Sequence, residues 1–131
     1  MNLESLAAEL RGFVGITRKK AIGGLVGHFP VDSDLIIASF GEDAAVVDDG
    51  EEVMLLAADG IWSRLLEADA EWAGYCAVLV NVHDIAAMGG WPVAMVDVFS
   101  VGSPELAEDV LRGLARGIEK FGVPIIGGHF H

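Results

Sequence analysis

Three aspartates stand where a packed apolar scaffold has least use for a charge. Asp43 follows Gly41 by two residues, Asp59 ends the apolar run Val53–Ala58, and Asp84 lies among Val82, Ile85, Ala86, Ala87 and Met88. Burying an ionised carboxylate is costly unless a cation or hydrogen bonds compensate it. Asn81 precedes Asp84 by three residues, so on a helix the two share one face. An all-oxygen set of this kind suits magnesium, which takes one or two carboxylates and completes its shell with phosphate oxygens and water. Asp43 and Asp59 also suit turn and strand-end positions, where aspartate is common. Asp84 has no such local use and needs a partner.

The run Arg18-Lys19-Lys20, inside the glycine-flanked stretch 15–24, is the one basic cluster of the sequence. Such cations either neutralise a phosphate or form a solvated face. His129 and His131 fall on one face of an extended strand, but two histidines without a spaced cysteine or acid are thin ground for a metal. Cys76, the single cysteine, reads as a small core residue, and His28 and His83 as structural. Trp62, Trp72 and Trp91 read as packing residues of a core or a dimer face rather than as ligand-stacking platforms.

The elements that must position these residues follow from periodicity and punctuation. Leu3, Leu6, Ala7 and Leu10 predict a short amphipathic helix over residues 2–11, and residues 25–29 a second one before Pro30. Residues 35–40 and 53–58 read as strands, with residues 45–47 between them leading into the turn Asp48-Asp49-Gly50. Asp69 is placed to cap a helix from Ala70 to Met88 that stops at Gly89-Gly90; it is apolar almost all round and so is expected to be buried. Residues 92–100 are a strand with Asp97 inside it. Ser103-Pro104-Glu105 then opens a helix with a hydroxyl cap, proline in the first turn and an acid at the positive end of the dipole. Gly122 and Pro124 end that helix, and a last strand over 123–126 runs into Gly127-Gly128-His129.

Composition bounds the partners. The 131 residues carry 20 acidic against 8 basic side chains, a net charge of −12, with 53% hydrophobic residues. Such a surface repels nucleic acid and anionic membranes, which both require a basic face. No apolar run reaches the roughly 18 residues of a membrane span without a charge, glycine or proline. The N-terminus lacks the basic and apolar regions of a secretory leader, so a cytoplasmic location is expected.

Residues 81–90, Asn-Val-His-Asp-Ile-Ala-Ala-Met-Gly-Gly, closely resemble the Asn-x-x-Asp-(Ile/Leu/Val)-x-Ala-Met-Gly signature of the PurM-like, AIR synthase-related superfamily. Gly41-Glu42-Asp43-Ala44-Ala45-Val46 is similar to the Gly-Asp-Asp-Ala-Ala-Val element of its thiamine-monophosphate kinases, and Asp59 stands where those kinases have Thr-Asp. Within the superfamily the whole chain most resembles the methanogenesis-marker branch, through residues 15–20, 55–62, 72–76 and 127–131. The resemblance implies an α/β (α+β) N-terminal domain spanning residues 1–131, with about four strands in a mixed or antiparallel sheet backed by helices. It further implies a homodimer closed through a β-barrel and a C-terminal domain outside this chain. ATP and magnesium are the implied cofactors, and phosphoryl transfer to an unidentified small molecule the implied chemistry. Carried over by motif, Asp43, Asp59 and Asp84 hold magnesium. Asn81, Gly41, His129 and one of Lys19 and Lys20 contact the nucleotide, the lysines from a loop that covers it.

Two departures bear on this assignment. Glu42 replaces the first aspartate of the kinase pair, and His129 stands where the kinases have Gly-Asp-Thr, which argues against that activity in particular. The alternative function is a non-catalytic dimeric scaffold in cofactor or enzyme maturation that keeps the fold. A third is a metal-binding domain centred on the terminal histidines.

Overall fold

In the computed structural model, which describes residues 2–100 and 102–130, the chain divides after Asp34 into two units. The first is helical. The Asn2 carboxamide oxygen accepts from the Ser5 N–H at 2.8 Å and caps α1 (Leu3–Gly12). α2 (Val14–Thr17), a 3-10 turn (Arg18–Ala21) and α3 (Ile22–Val26) follow. The expected second helix therefore begins three residues earlier and ends three earlier than its apolar run suggests. The predicted leucine stripe of α1 is present, yet Leu3, Leu6 and Leu10 are exposed and no helix of this unit has a buried residue.

The second unit opens with an antiparallel sheet of β1 (Ile36–Ala38), β2 (Ala45–Asp48) and β3 (Val53–Leu56), in that order. Its β2–β3 connection is built by the predicted acidic turn. Carboxylate oxygens of Asp48 and Asp49 accept from the Gly50 and Glu52 N–H groups at 2.8 and 3.1 Å, and Gly50 takes φ 99°. A short helix, α4 (Ser63–Ala68), follows where no element was expected. α5 (Ala70–Ala87) starts as predicted, its Trp72 N–H donating to Asp69 at 2.8 Å. β4 (Met95–Phe99), α6 (Pro104–Phe121) and β5 (Ile125–Phe130) form a βαβ unit with the two strands paired in parallel. Ser103 caps α6 by accepting from the Leu106 N–H at 3.2 Å, and Gly122 closes it at φ 68°.

The α/β class holds, with a different sheet arrangement from the one expected. Among the described residues five strands lie in two sheets, one antiparallel and one parallel, instead of about four in one. The reason is that the connection between β3 and β4 is occupied by α4 and α5, and β4 pairs with β5 alone. The core is the α5–α6 interface with the start of β5 below it: Val78, Val82, Val110, Leu114 and Val123 are buried there. Backbones approach so closely that a Cβ on Gly113 would lie 1.8 Å from the Glu71 carbonyl oxygen, and one on Gly74 2.1 Å from that of Val110. α5 is consequently buried along one stripe only, against the expectation of burial all round, because α6 covers one face and Trp72, His83, Ala86 and Ala87 lie on the others. The tryptophans likewise stay out of the core. Trp62, Trp72 and Trp91 are all exposed, Trp91 at 90%.

Candidate functional site

The site is assembled where β3 ends. Strand pairing stops at Leu56, opposite Ala45, and the chain continues through Ala57-Ala58-Asp59-Gly60 without regular structure. Asn81 reaches this segment from α5. Its amide Nδ2 donates to the Ala77 carbonyl at 2.9 Å, and its Oδ1 accepts from the Asp59 N–H at 3.0 Å. One turn further along the helix stands Asp84, half-buried. Its carboxyl is pushed above the ordinary aspartate range, first by burial, then by the negative charges of Asp43 and Asp59, with His83 acting weakly the other way. Asp43 comes from the loop before β2, between Gly41 at φ 116° and Ala44, which is buried. A side chain at position 41 would be strained, so glycine there is a backbone requirement. Three acids from three separate elements thus share one electrostatic neighbourhood.

That neighbourhood is not a closed protein cage. Among the described residues no three His, Cys, Asp or Glu side chains are gathered so as to hold a metal ion by themselves. The donors nonetheless fit magnesium, which keeps waters and phosphate oxygens and draws only one or two ligands from the protein. Asp43 and Asp59 are exposed, open to such a ligand.

The other expected residues belong to other elements. Lys19 and Lys20 lie exposed in the 3-10 turn of the first unit. His129 is exposed on β5, in register with Val98; His131 lies outside the described residues. Gly128 before it takes φ 150°, and a Cβ there would sit 1.9 Å from the Asp97 carbonyl oxygen, so the Gly-Gly-His motif owes one glycine to strand packing. Cys76 is half-buried on α5, its thiol raised by burial and then by Asp69, as a packing residue would be.

One feature of the site escaped the sequence reading. A groove of about 1400 Å³ runs between β3 and β4, and Asp59, Asn81 and Asp97 all line it among apolar side chains such as Leu56, Ile85 and Met88. Asp97 alternates with Met95 and Phe99 on the half-buried face of β4, while Val96 and Val98 are exposed. An acid on the inner register of an apolar strand was the available signal.

Comparison with known proteins places this geometry. Residues 41–131 match the family described as AIR synthase related protein, N-terminal domain. An uncharacterized protein of Methanocaldococcus jannaschii is 52% identical over the whole chain, which covers 42% of that relative. A second uncharacterized protein, from Synechocystis, is 38% identical over 97% of the chain and 40% of its own length. The phosphoribosylformylglycinamidine cyclo-ligase of Pyrococcus furiosus is 31% identical over 67% of the chain and 28% of the enzyme. The chain thus spans about two fifths of the length of the first two relatives. In fold it is similar to a solved structure described as AaThiL complexed with AMPPCP and TMP, with a TM-score of 0.62 at 23% identity, covering 99% of this chain and 39% of that one. With the family match covering all three acids and Asn81, the chain belongs to the AIR synthase related proteins.

Proposed function

We propose that this chain is the ATP- and magnesium-binding, dimer-forming part of an ATP-dependent enzyme that activates a small molecule by phosphoryl transfer, working in the cytoplasm. The observation that carries the reading is that the Asp84 carboxyl, in the last turn of α5, is raised by burial and then by the charges of Asp43, from the loop before β2, and Asp59, from the exit of β3. Neighbouring carboxylates favour a divalent cation, because the cation offsets the cost that like charges add to Asp84. Support comes also from a relative named as a cyclo-ligase and from a fold neighbour solved with AMPPCP.

In this reading Asp59 and Asp84, with Asp43 beside them, hold magnesium, and Gly41 lets the backbone of its loop come close to the phosphates. His129 and Lys19 or Lys20 serve as further nucleotide contacts. Bound magnesium would neutralise charge on the transferring phosphoryl group. The chain's own residues would do the rest by position: the carboxylates fix where the phosphates lie, and the apolar groove beside Asp59 limits water. The exposed valines of β4 and Ile126 of β5 supply an apolar face for the homodimer. The assignment to the methanogenesis-marker branch rests on residues 15–20, 55–62, 72–76 and 127–131 of this chain, and the substrate is an unidentified small molecule.

Calorimetry with AMPPCP, with and without magnesium, tests the proposal. A magnesium-dependent heat is expected, with an affinity that Asp84→Asn weakens at least about tenfold, the loss typical of a removed ligand or its supporting residue. No heat in either condition, or an unaltered one in the variant, would favour the scaffold alternative.

A further inference from the structure

We infer that Asn81 is a positioning residue, which acts on the site through the backbone of Asp59 instead of by touching nucleotide or metal. The inference rests on the magnesium reading above and refines it. The segment 57–61 leaves β3 without strand pairing, so nothing in the sheet fixes where the Asp59 carboxylate points. The bond from the Asp59 N–H to Asn81 Oδ1, at 3.0 Å and spanning 22 residues of sequence, ties that segment to α5. Its partner bond, Nδ2 to the Ala77 carbonyl at 2.9 Å, locks the amide in place from the other side. Both partners are backbone groups of fixed polarity, a donor at one end and an acceptor at the other. Reversing the amide would set donor against donor and acceptor against acceptor, so only one orientation satisfies both. Asn81 is half-buried and its bond to the Ala77 carbonyl is partly shielded, while the bond from the Asp59 N–H lies at the surface, where exchange with solvent can report its loss.

The consequence is geometric. Asn81 and Asp84 occupy the same face of one helix, so the side chain that holds Asp59 stands one turn from the carboxylate Asp59 must work with. A carboxamide is the group this task requires. Aspartate at 81 keeps an acceptor for the Asp59 N–H but loses the donor to Ala77 and adds a charge among three acids. Serine keeps a back-bond to the carbonyl four residues earlier but is too short to reach the strand exit. A hydrophobic residue loses both bonds.

The experiment compares the 131-residue chain with Asn81→Ala and Asn81→Ser by two readouts. The first is amide hydrogen exchange at Asp59 in metal-free protein, with Val78 and Val123 as reporters of an intact core. The second is binding of Mn2+ in the presence of AMPPCP, followed by electron paramagnetic resonance. Faster exchange at Asp59 in both variants, with Val78 and Val123 unchanged, and Mn2+ affinity about tenfold weaker are expected, a loss of the size seen when partners of metal ligands are removed. Unchanged exchange at Asp59 with weakened Mn2+ binding would overturn the inference and make Asn81 a direct contact. Faster exchange with unchanged Mn2+ affinity would overturn it as well, since the tether would then not matter to the site. Should Asn81→Ala not fold, Asn81→Ser supplies the same contrast. Failure of the underlying reading looks different: the unaltered chain itself would bind no Mn2+, and the inference would fall with it.

Discussion

In the proposed function, Asp84 is the residue on which stability and metal binding pull in opposite directions. Its carboxyl is raised by burial and by two neighbouring acids, so the folded chain holds that proton more tightly than the unfolded one. The sign follows from linkage: the fold loses stability as pH rises from the ordinary carboxylate range through the raised value, and below that range the difference vanishes. Asp84→Asn is therefore expected to melt higher than the unaltered chain at neutral pH without metal, and to show a flatter decline over that interval. Thermal melts across mildly acidic to neutral pH check this, and equal curves would refute it. Adding magnesium with nucleotide should narrow the gap by stabilising only the aspartate form. Asp84 was legible in the sequence because an aspartate inside Val-His-Asp-Ile-Ala-Ala is conspicuous on an apolar helix, whereas Asp43 and Asp59 were singled out from ordinary turn and strand-end residues through the family resemblance. The role of Asn81 was not legible, since its partner lies 22 residues away at a strand exit.

At the level of elements, caps and turns were readable because they are local. Ser103 and Asp69 cap α6 and α5 as their types predict, and Gly122 ends α6 in the left-handed conformation that favours glycine. Ser103→Ala should lower stability by about 1 kcal/mol, the usual value of a lost cap, measured by urea unfolding. α4 was missed because its six residues, Ser-Arg-Leu-Leu-Glu-Ala, are too short to show a period. What holds α5 against α6 was also invisible, because glycines inside a helix read as weak points until a neighbouring backbone is seen. Gly113→Ala forces a methyl group against the Glu71 carbonyl oxygen and should cost about 3 kcal/mol, the upper end for overpacking and well beyond the cap variant. If the two variants unfold at equal urea concentrations, the close approach of these helices is wrong. The ion pairs that Glu71 makes with Arg112 and Arg116 across the same helices are exposed and screened by solvent, so they add little to this packing.

For the molecule as a whole, the hydrophobic fraction exceeds what its own core uses. Val96, Val98 and Ile126 are each at least 70% exposed on the parallel pair of strands, a concentration of apolar surface that isolated chains rarely leave open. Light scattering is expected to give twice the monomer mass, with Val96→Lys shifting the chain to monomer. Added salt should strengthen the dimer by screening the repulsion between two chains of charge −12. A monomer at every concentration and salt would remove the dimer from the proposed function.

The sequence by itself determined what depends on neighbours along the chain: the caps of α5 and α6, the acidic turn after β2, the family through the Asn-x-x-Asp and Gly-Glu-Asp-Ala-Ala elements, and the identity of the three acids. Only the tertiary structure decided which strands pair, which stripe of α5 is buried, and that the backbone of Asp59 is held by Asn81. The physical reason is range. Capping bonds and turn dihedrals are settled within a few residues, whereas strand pairing, helix contact and the tether at the site are set by groups that meet only once the chain has closed its loops.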